Sequence, residues 1–250
     1  MMESAFKTDK GRIRQHNEDH GGVFENSSRD RLAVVADGMG GHNAGDVASN
    51  IAIDQLQSSW EKVEYISSPE EAEEWLKQAI ETVNRQIFSH SRENIECQGM
   101  GTTLVAVIST DRFCTIAHIG DSRCYILNES GFTLLTEDHS LVNELVRTGQ
   151  ISKEAAEHHP RKNVLTRALG TEEQVVADYR TISFEAGDYL LLCSDGLSNK
   201  MTDEEMALIL QMDLSLSDKA EKLVNLANEN GGEDNITIVI LQQSADCESG

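Results

Sequence analysis

Between residues 102 and 136 the chain repeats short apolar runs at intervals that leave room only for tight turns. The stretches 102–110, 113–119, 123–128 and 132–136 are rich in Val, Ile, Leu and Thr, which suit a pleated, half-buried surface. The breaks between them, Ser109-Thr110-Asp111, Gly120-Asp121 and Glu129-Ser130-Gly131, are far shorter than the dozen or so residues a parallel crossover needs. Neighbouring strands in this part of the chain are therefore expected to be antiparallel. Further strands are read at 31–36, 175–184, 189–193 and 236–242.

Helical periodicity brackets these strands. Residues 44–60 carry Val47, Ala48, Ile51 and Leu56 on one stripe. Ser68-Pro69-Glu70-Glu71 reads as a capping box with proline at the first helical position, followed at helical spacing by Ala72, Trp75, Leu76, Ala79, Ile80, Val83 and Ile87. Thr202-Asp203-Glu204-Glu205 caps a third helix running towards Leu210. A fourth, at 217–230, buries Ala220, Leu223, Val224 and Leu226 and stops at Gly231-Gly232. Helices early, antiparallel strands, helices late and a closing strand predict an α+β layered fold with helices over the outer faces of packed sheets. Residues 140–170 break the pattern and read as a surface insertion.

No linker, repeat or low-complexity tract divides the 250 residues, so one domain over residues 1–250 is expected. The longest apolar runs fall well short of the roughly 20 residues that span a bilayer, and MMESAFKTDKGR lacks the features of a signal peptide. A soluble, cytoplasmic protein with no membrane insertion is expected. The five cysteines, Cys97, Cys114, Cys124, Cys193 and Cys247, show no metal or redox spacing, and four of them lie in or near apolar stretches, where a reduced cysteine packs as a small hydrophobe. With 43 acidic against 21 Lys and Arg residues, the net charge of −22 argues against nucleic acid as a partner, because that binding depends on basic groups neutralising phosphates.

Certain acids stand apart from this general surplus. Asp37 and Asp195 each end an apolar run and precede glycine, Asp121 follows Gly120, and Asp234 lies just before the last strand, while Glu18-Asp19 closes a polar group near the N-terminus. Singly, each is ordinary turn or cap chemistry. Together, at strand ends that a sandwich could gather at one rim, they would repel one another unless a cation neutralised them, and all-oxygen ligands select a hard ion such as Mg²⁺ or Mn²⁺. Other site chemistries fit less well. Gly38-x-Gly40 continues into Asn43 where a dinucleotide fingerprint has Gly or Ala, no Lys-Ser/Thr follows Gly40-x-x-x-x-Gly45, and the sixth residue after Cys193 is Asn199 rather than the arginine of a cysteine phosphatase.

Arg14-x-x-Asn17-Glu18-Asp19, Val35-Ala36-Asp37-Gly38-Met39-Gly40-Gly41, Gly101-Thr102-Thr103, Ile119-Gly120-Asp121-Ser122-Arg123, Ser194-Asp195-Gly196-Leu197 and Asp234-Asn235-Ile236-Thr237 resemble, in order, the motifs of metal-dependent type 2C protein serine/threonine phosphatases in their short bacterial form. The resemblance implies an αββα sandwich of two mainly antiparallel sheets and phosphoester hydrolysis by a metal-activated water, using two or three Mn²⁺ or Mg²⁺ ions. It implies that Asp37 bridges two ions, that Asp195 and Asp234 complete the first ion's protein ligands, and that the Gly38 carbonyl joins the second. Glu18 and Asp19 resemble ligands or water-mediated supports of the second ion, Asp121 with Asp195 a third-metal site, and Arg14 the arginine that grips the substrate phosphate. Met39 stands where many eukaryotic members carry a histidine, which leaves His42 or a metal-bound water as candidates to protonate the leaving oxygen. The remaining histidines, including His158-His159, read as surface residues.

Residues 140–170 correspond to the family's variable flap. The partners implied are phosphorylated proteins, among them a cognate bacterial Ser/Thr kinase, acted on by a monomer. The alternative from another class is a metal-free, non-catalytic phosphoprotein-binding member of the same fold.

Overall fold

The computed structural model describes residues 2–41 and 44–244, apart from the side chain of Glu157; His42 and Cys247 lie outside the described residues. The chain runs β1 (Met2–Asp9), β2 (Asp19–Glu25), β3 (Arg31–Met39), α1 (Ala44–Trp60), α2 (Pro69–Glu93), a single 3₁₀ turn (Ile95–Cys97), β4 (Gly101–Thr102), β5 (Leu104–Ser109), β6 (Phe113–Ile119), β7 (Arg123–Asn128) and β8 (Gly131–Leu134). It continues with α3 (Leu141–Arg147), α4 (Lys153–Glu157), β9 (Asp178–Ser183), β10 (Tyr189–Cys193), α5 (Asp195–Ser198), α6 (Asp203–Gln211), α7 (Leu216–Glu229) and β11 (Ile236–Gln243).

Two antiparallel sheets form, ordered β1-β11-β10-β7-β8 and β2-β3-β5-β6-β9, with β4 a short appendage on β3. Strand alternation builds the layers. Leu32, Val34 and Ala36 of β3 face α1 and α2, while Ala33 and Val35 face the other sheet. In β10, Leu191 and Cys193 pack under α6 and α7, while Leu190 and Leu192 fill the space between the sheets. Both faces of the central strands are thus covered, which is why LAVVA and YLLLC are continuously apolar instead of alternating. The layers run helix, sheet, sheet, helix, as the α+β expectation required.

The caps act as their chemistry dictates. Thr202 Oγ1 accepts the Glu205 amide at 3.3 Å and Glu205 Oε2 accepts the Thr202 amide at 2.9 Å, a complete capping box. At α2, Ser68 accepts the Glu71 amide at 3.3 Å, but the Glu71 carboxylate reaches back to the Ser67 amide at 2.9 Å, one residue beyond the reciprocal position.

Four features depart from the sequence reading. Strands β1 and β2 were not expected: MESAFKTD and DHGGVFE lack an apolar run, and they exist because β1 pairs with β11 and β2 with β3. Strands β6 and β7 do not pair despite the two-residue break, since the chain crosses from one sheet to the other there. The stretch expected at 102–110 divides at Thr103, which leaves the ladder to hydrogen-bond Asp37. Finally, His118 and His139 are buried rather than on the surface, at 2% and 3% exposure. By contrast, Cys97, Cys114, Cys124 and Cys193 are buried free thiols, as their setting suggested.

Candidate active site

Strand register brings the singled-out acids together. Asp19 opens β2 and Asp37 lies near the end of β3, and the two are direct cross-strand partners. In the other sheet, Cys193 pairs with Ile238, so Asp195, just past β10, and Asp234, just before β11, emerge from the same end of neighbouring strands. Asp121 follows β6 at the crossing between sheets. Like charges directly opposite on paired strands are destabilising, and here the repulsion involves five carboxylates.

The protonation energetics record this crowding. Asp37 is pushed well above the usual carboxylate range by burial and by Asp19, Asp195, Asp121 and Asp234. Burial raises Asp19 to about 7, against the opposing hydrogen bonds from Ser194 and Thr237. Burial and then Asp195 raise Asp121 to about 7. Asp195 rises to about 6 through burial and Asp234, although the charges of Arg14 and Arg123 pull it back. Glu18 is also raised, chiefly by burial, with Arg14 opposing.

Backbone clasps hold these acids in place. The Asp37 carbonyl accepts the Thr103 amide and the Thr102 hydroxyl, both at 2.9 Å, and the Asp37 amide donates to Thr103 Oγ1 at 3.0 Å. That is the physical use of Gly101-Thr102-Thr103. Gly38 must be glycine because a Cβ there would lie 2.1 Å from the Gly45 carbonyl oxygen, so the start of α1 rests on the end of β3. Ser194 donates to Asp19 Oδ2 at 2.7 Å and accepts the Thr237 amide at 2.9 Å. Asn235 accepts the Glu18 amide at 2.8 Å and donates to the Lys10 and His16 carbonyls, both at 2.9 Å, tying the 10–18 loop to β11.

Arg14 stands at the edge of the cluster and bonds Asp234 Oδ2 through Nη2 at 2.8 Å. The family resemblance implies separate tasks for these two residues, and the structure pairs them. The other oxygen of Asp234 accepts the Asn235 amide at 2.8 Å. Exposed pairs of this kind contribute about 0–1 kcal/mol, so Arg14 can exchange Asp234 for another anion at little cost. A cleft of about 570 Å³ runs from Asp121 and Asp195 to Asn143, Lys153 and Lys162 of the 140–170 segment, whose helices α3 and α4 are only 7 and 5 residues long.

Among the described residues, no group of three or more His, Cys, Asp or Glu side chains is already arranged around one point to hold an ion. The donor set nevertheless fits a hard divalent cation. It is all oxygen, its members hold one another's protons on, and Asp195 Oδ1 is buried with no hydrogen-bond partner. Asp37, Asp195 and Asp234, with Asp19, Glu18 and Asp121 around them, are the side chains that could hold such ions. Thr102, Thr103, Ser194 and Asn235 carry no chemistry of their own in the sequence pattern; their only signal there is their place inside the quoted motifs.

Residues 10–237 match the family model described as protein phosphatase 2C. The chain belongs to the protein phosphatase 2C family. Among its relatives, the serine/threonine phosphatase stp of Listeria welshimeri is 50% identical over 243 residues, covering 97% of this chain and 96% of that protein. The crystal structure of serine/threonine phosphatase Stp1 from Staphylococcus aureus superposes with a TM-score of 0.93 at 40% identity, covering 98% of this chain and 96% of that one. The catalytic domain of the serine threonine protein phosphatase PstP, in complex with two manganese ions, superposes with a TM-score of 0.85 at 33% identity, covering 98% and 99%. No described helix of this phosphatase 2C chain is long and apolar enough to cross a membrane.

Proposed function

We propose that the chain is a metal-dependent protein serine/threonine phosphatase that hydrolyses phosphoserine and phosphothreonine on proteins. The observation that carries this reading is the gathering of Asp19, Asp37, Asp121, Asp195 and Asp234 at one rim, with an exchangeable arginine beside them. The relatives named as serine/threonine phosphatases, and the two-manganese PstP complex, support it.

In this proposal Asp37 would be shared between two Mn²⁺ or Mg²⁺ ions, Asp195 and Asp234 would hold the first and the Gly38 carbonyl the second. Asp19 and Glu18 would support the second ion directly or through water, and Asp121 with Asp195 would hold a third. When bound, such ions supply an acidified water nucleophile and positive charge for the transferring phosphoryl group. Arg14 leaves Asp234 to grip two phosphate oxygens with its planar fork, which orients phosphorus and balances charge as it develops. Thr102 and Thr103 hold the Asp37 backbone in place during this exchange.

The whole chain acts as one phosphatase domain, with 140–170 as a flap beside the cleft. We place it in the cytoplasm as a monomer acting on phosphoproteins, including a cognate Ser/Thr kinase. The test is phosphate release from a phosphothreonine peptide with Mn²⁺, with Mg²⁺ and with excess chelator. Release that depends on the added ion is the expected result. Binding of the phosphopeptide without turnover under all three conditions would favour a non-catalytic, phosphoprotein-binding protein instead.

A further inference from the structure

His118 and His139, which the sequence places at no site, lie buried against the turn that carries Asp121. Their rings meet at 4.6 Å between centroids. His118 has no hydrogen-bond partner on either ring nitrogen, whereas His139 uses every polar atom it has. The Gly120 amide donates to His139 Nδ1 at 3.2 Å, and a nitrogen that accepts a hydrogen bond carries no proton. The ring proton therefore sits on Nε2, which faces Asp178 Oδ2 at 3.1 Å. The His139 amide donates to the Gly120 carbonyl at 2.8 Å, so the residue before Asp121 is held at both its amide and its carbonyl.

This grip leaves no slack. Gly120 sits at φ +102°, and a Cβ there would lie 2.6 Å from the Thr103 side chain. Thr103 in turn holds Asp37 and shares a 2.7 Å hydrogen bond with Ser122, so the turn bearing Asp121 and the end of β3 are set against one another. His139 also anchors the segment that follows it. Its carbonyl accepts the Thr166 amide at 2.8 Å, the Leu141 amide donates to the Val164 carbonyl at 2.8 Å, and Ser140 and Leu165 form an isolated bridge. Arg167 reaches the far side of the same Asp178 carboxylate at 2.9 Å.

We propose that His139 is a positioning residue: its ring sets the turn presenting Asp121, and its backbone, with Asp178 and Arg167 beyond the ring, joins that turn to both ends of the 140–170 segment. The metal arm of this proposal rests on the reading of Asp121 as a metal ligand; the segment arm does not. A histidine that merely fills space would cost stability when replaced and do nothing else. A positioning histidine responds according to which nitrogen is replaced. Asparagine puts an amide oxygen where Nδ1 stands and keeps the acceptor for Gly120. Glutamine reaches towards Asp178 and loses that acceptor.

The experiment compares the whole chain with His139→Asn, His139→Gln and Asp121→Ala, using Mn²⁺ binding by calorimetry and the rate of proteolytic cleavage within 140–170. His139→Gln is expected to weaken Mn²⁺ binding about tenfold, the scale seen when groups that orient ligands are lost, with His139→Asn close to the unaltered chain. His139→Gln is also expected to speed cleavage within 140–170 about fivefold by raising the population of its open form, while Asp121→Ala leaves the rate unchanged. A His139→Gln chain that binds Mn²⁺ and resists cleavage like the unaltered chain overturns the proposal, as does equal weakening by Asn and Gln.

If Asp121→Ala leaves Mn²⁺ binding intact, the metal reading of Asp121 fails, and the cleavage rates alone decide for or against His139 as anchor of the segment. Should His139→Gln not fold, nitrogen NMR of the unaltered chain decides: a coupling from the Gly120 amide across to His139 Nδ1 supports the proposal, and a protonated Nδ1 overturns it.

Discussion

Asp19 and Asp37 face each other across paired strands, an arrangement that costs stability wherever no cation lies between them. Asp37→Asn removes the cost of burying that carboxyl beside the other acids, whether as a charge or by holding a proton on it, and weakens the proposed bridge. Without divalent ions the variant is expected to melt a few degrees higher, a gain on the order of 1 kcal/mol, while phosphate release from a phosphothreonine peptide with Mn²⁺ is lost; calorimetric melting with chelator and the assay check both. His118 gives a different test. Burial first, and then His139, depress its pKa from 6.5 to about 4. Between these values the unfolded chain takes up a proton that the folded chain refuses. This contribution is therefore fully present above pH 6.5 and is lost as pH falls towards 4, by up to about 1.4 kcal/mol per pH unit. Urea denaturation of His118→Phe should show a shallower loss of stability over that window than the unaltered chain. The acids were legible in the sequence because each interrupts an apolar run or a polar cluster with a charge. Their supports were not: Asn235 holds the Glu18 amide across 217 residues of chain, and no local pattern reports such a partner.

Among the elements, β6, β7, β10 and α1 begin and end where their residues change character, since propensity, patterning and turn chemistry agree there. Strands β1 and β2 show the converse. MESAFKTD is mostly polar and forms a strand at the sheet edge because β11 offers it a ladder. In β2, Gly21 lies against β3 so closely that a Cβ would stand 2.7 Å from the Val34 carbonyl oxygen. The 140–170 segment read as an irregular surface insertion, and among the described residues of α3 and α4 none is buried. If this segment acts as a flap over the cleft, shortening it between Gly149 and Lys162 should change relative rates among phosphoproteins by several-fold and leave hydrolysis of a small aryl phosphate nearly unchanged. Equal loss on both substrates, measured as kcat/KM, would remove the segment from substrate choice.

In the whole molecule, three apolar layers carry the fold: one under α1 and α2, one between the sheets, and one under α6 and α7. Leu192 is fully buried in the middle layer, and Leu192→Ala is expected to cost about 2–5 kcal/mol in denaturant unfolding, with a cavity that two rigid sheets cannot collapse to fill. The charge of −22 is compatible with this fold because most of the acids stay at the surface; the exceptions are the rim where the five acids meet and Asp188, buried in the turn before β10. Sequence alone determined most of the strands and helices and which acids stood at their ends, because apolar period and turn chemistry act over a few residues; it did not determine β1 or β2, which their partner strands create. Tertiary structure decided that β6 and β7 part company at Gly120, that Asp19 faces Asp37, that Arg14 holds Asp234 and that His139 lies buried. Those outcomes depend on which sheet a strand joins and in what register, and a register is fixed by packing between residues far apart in the chain.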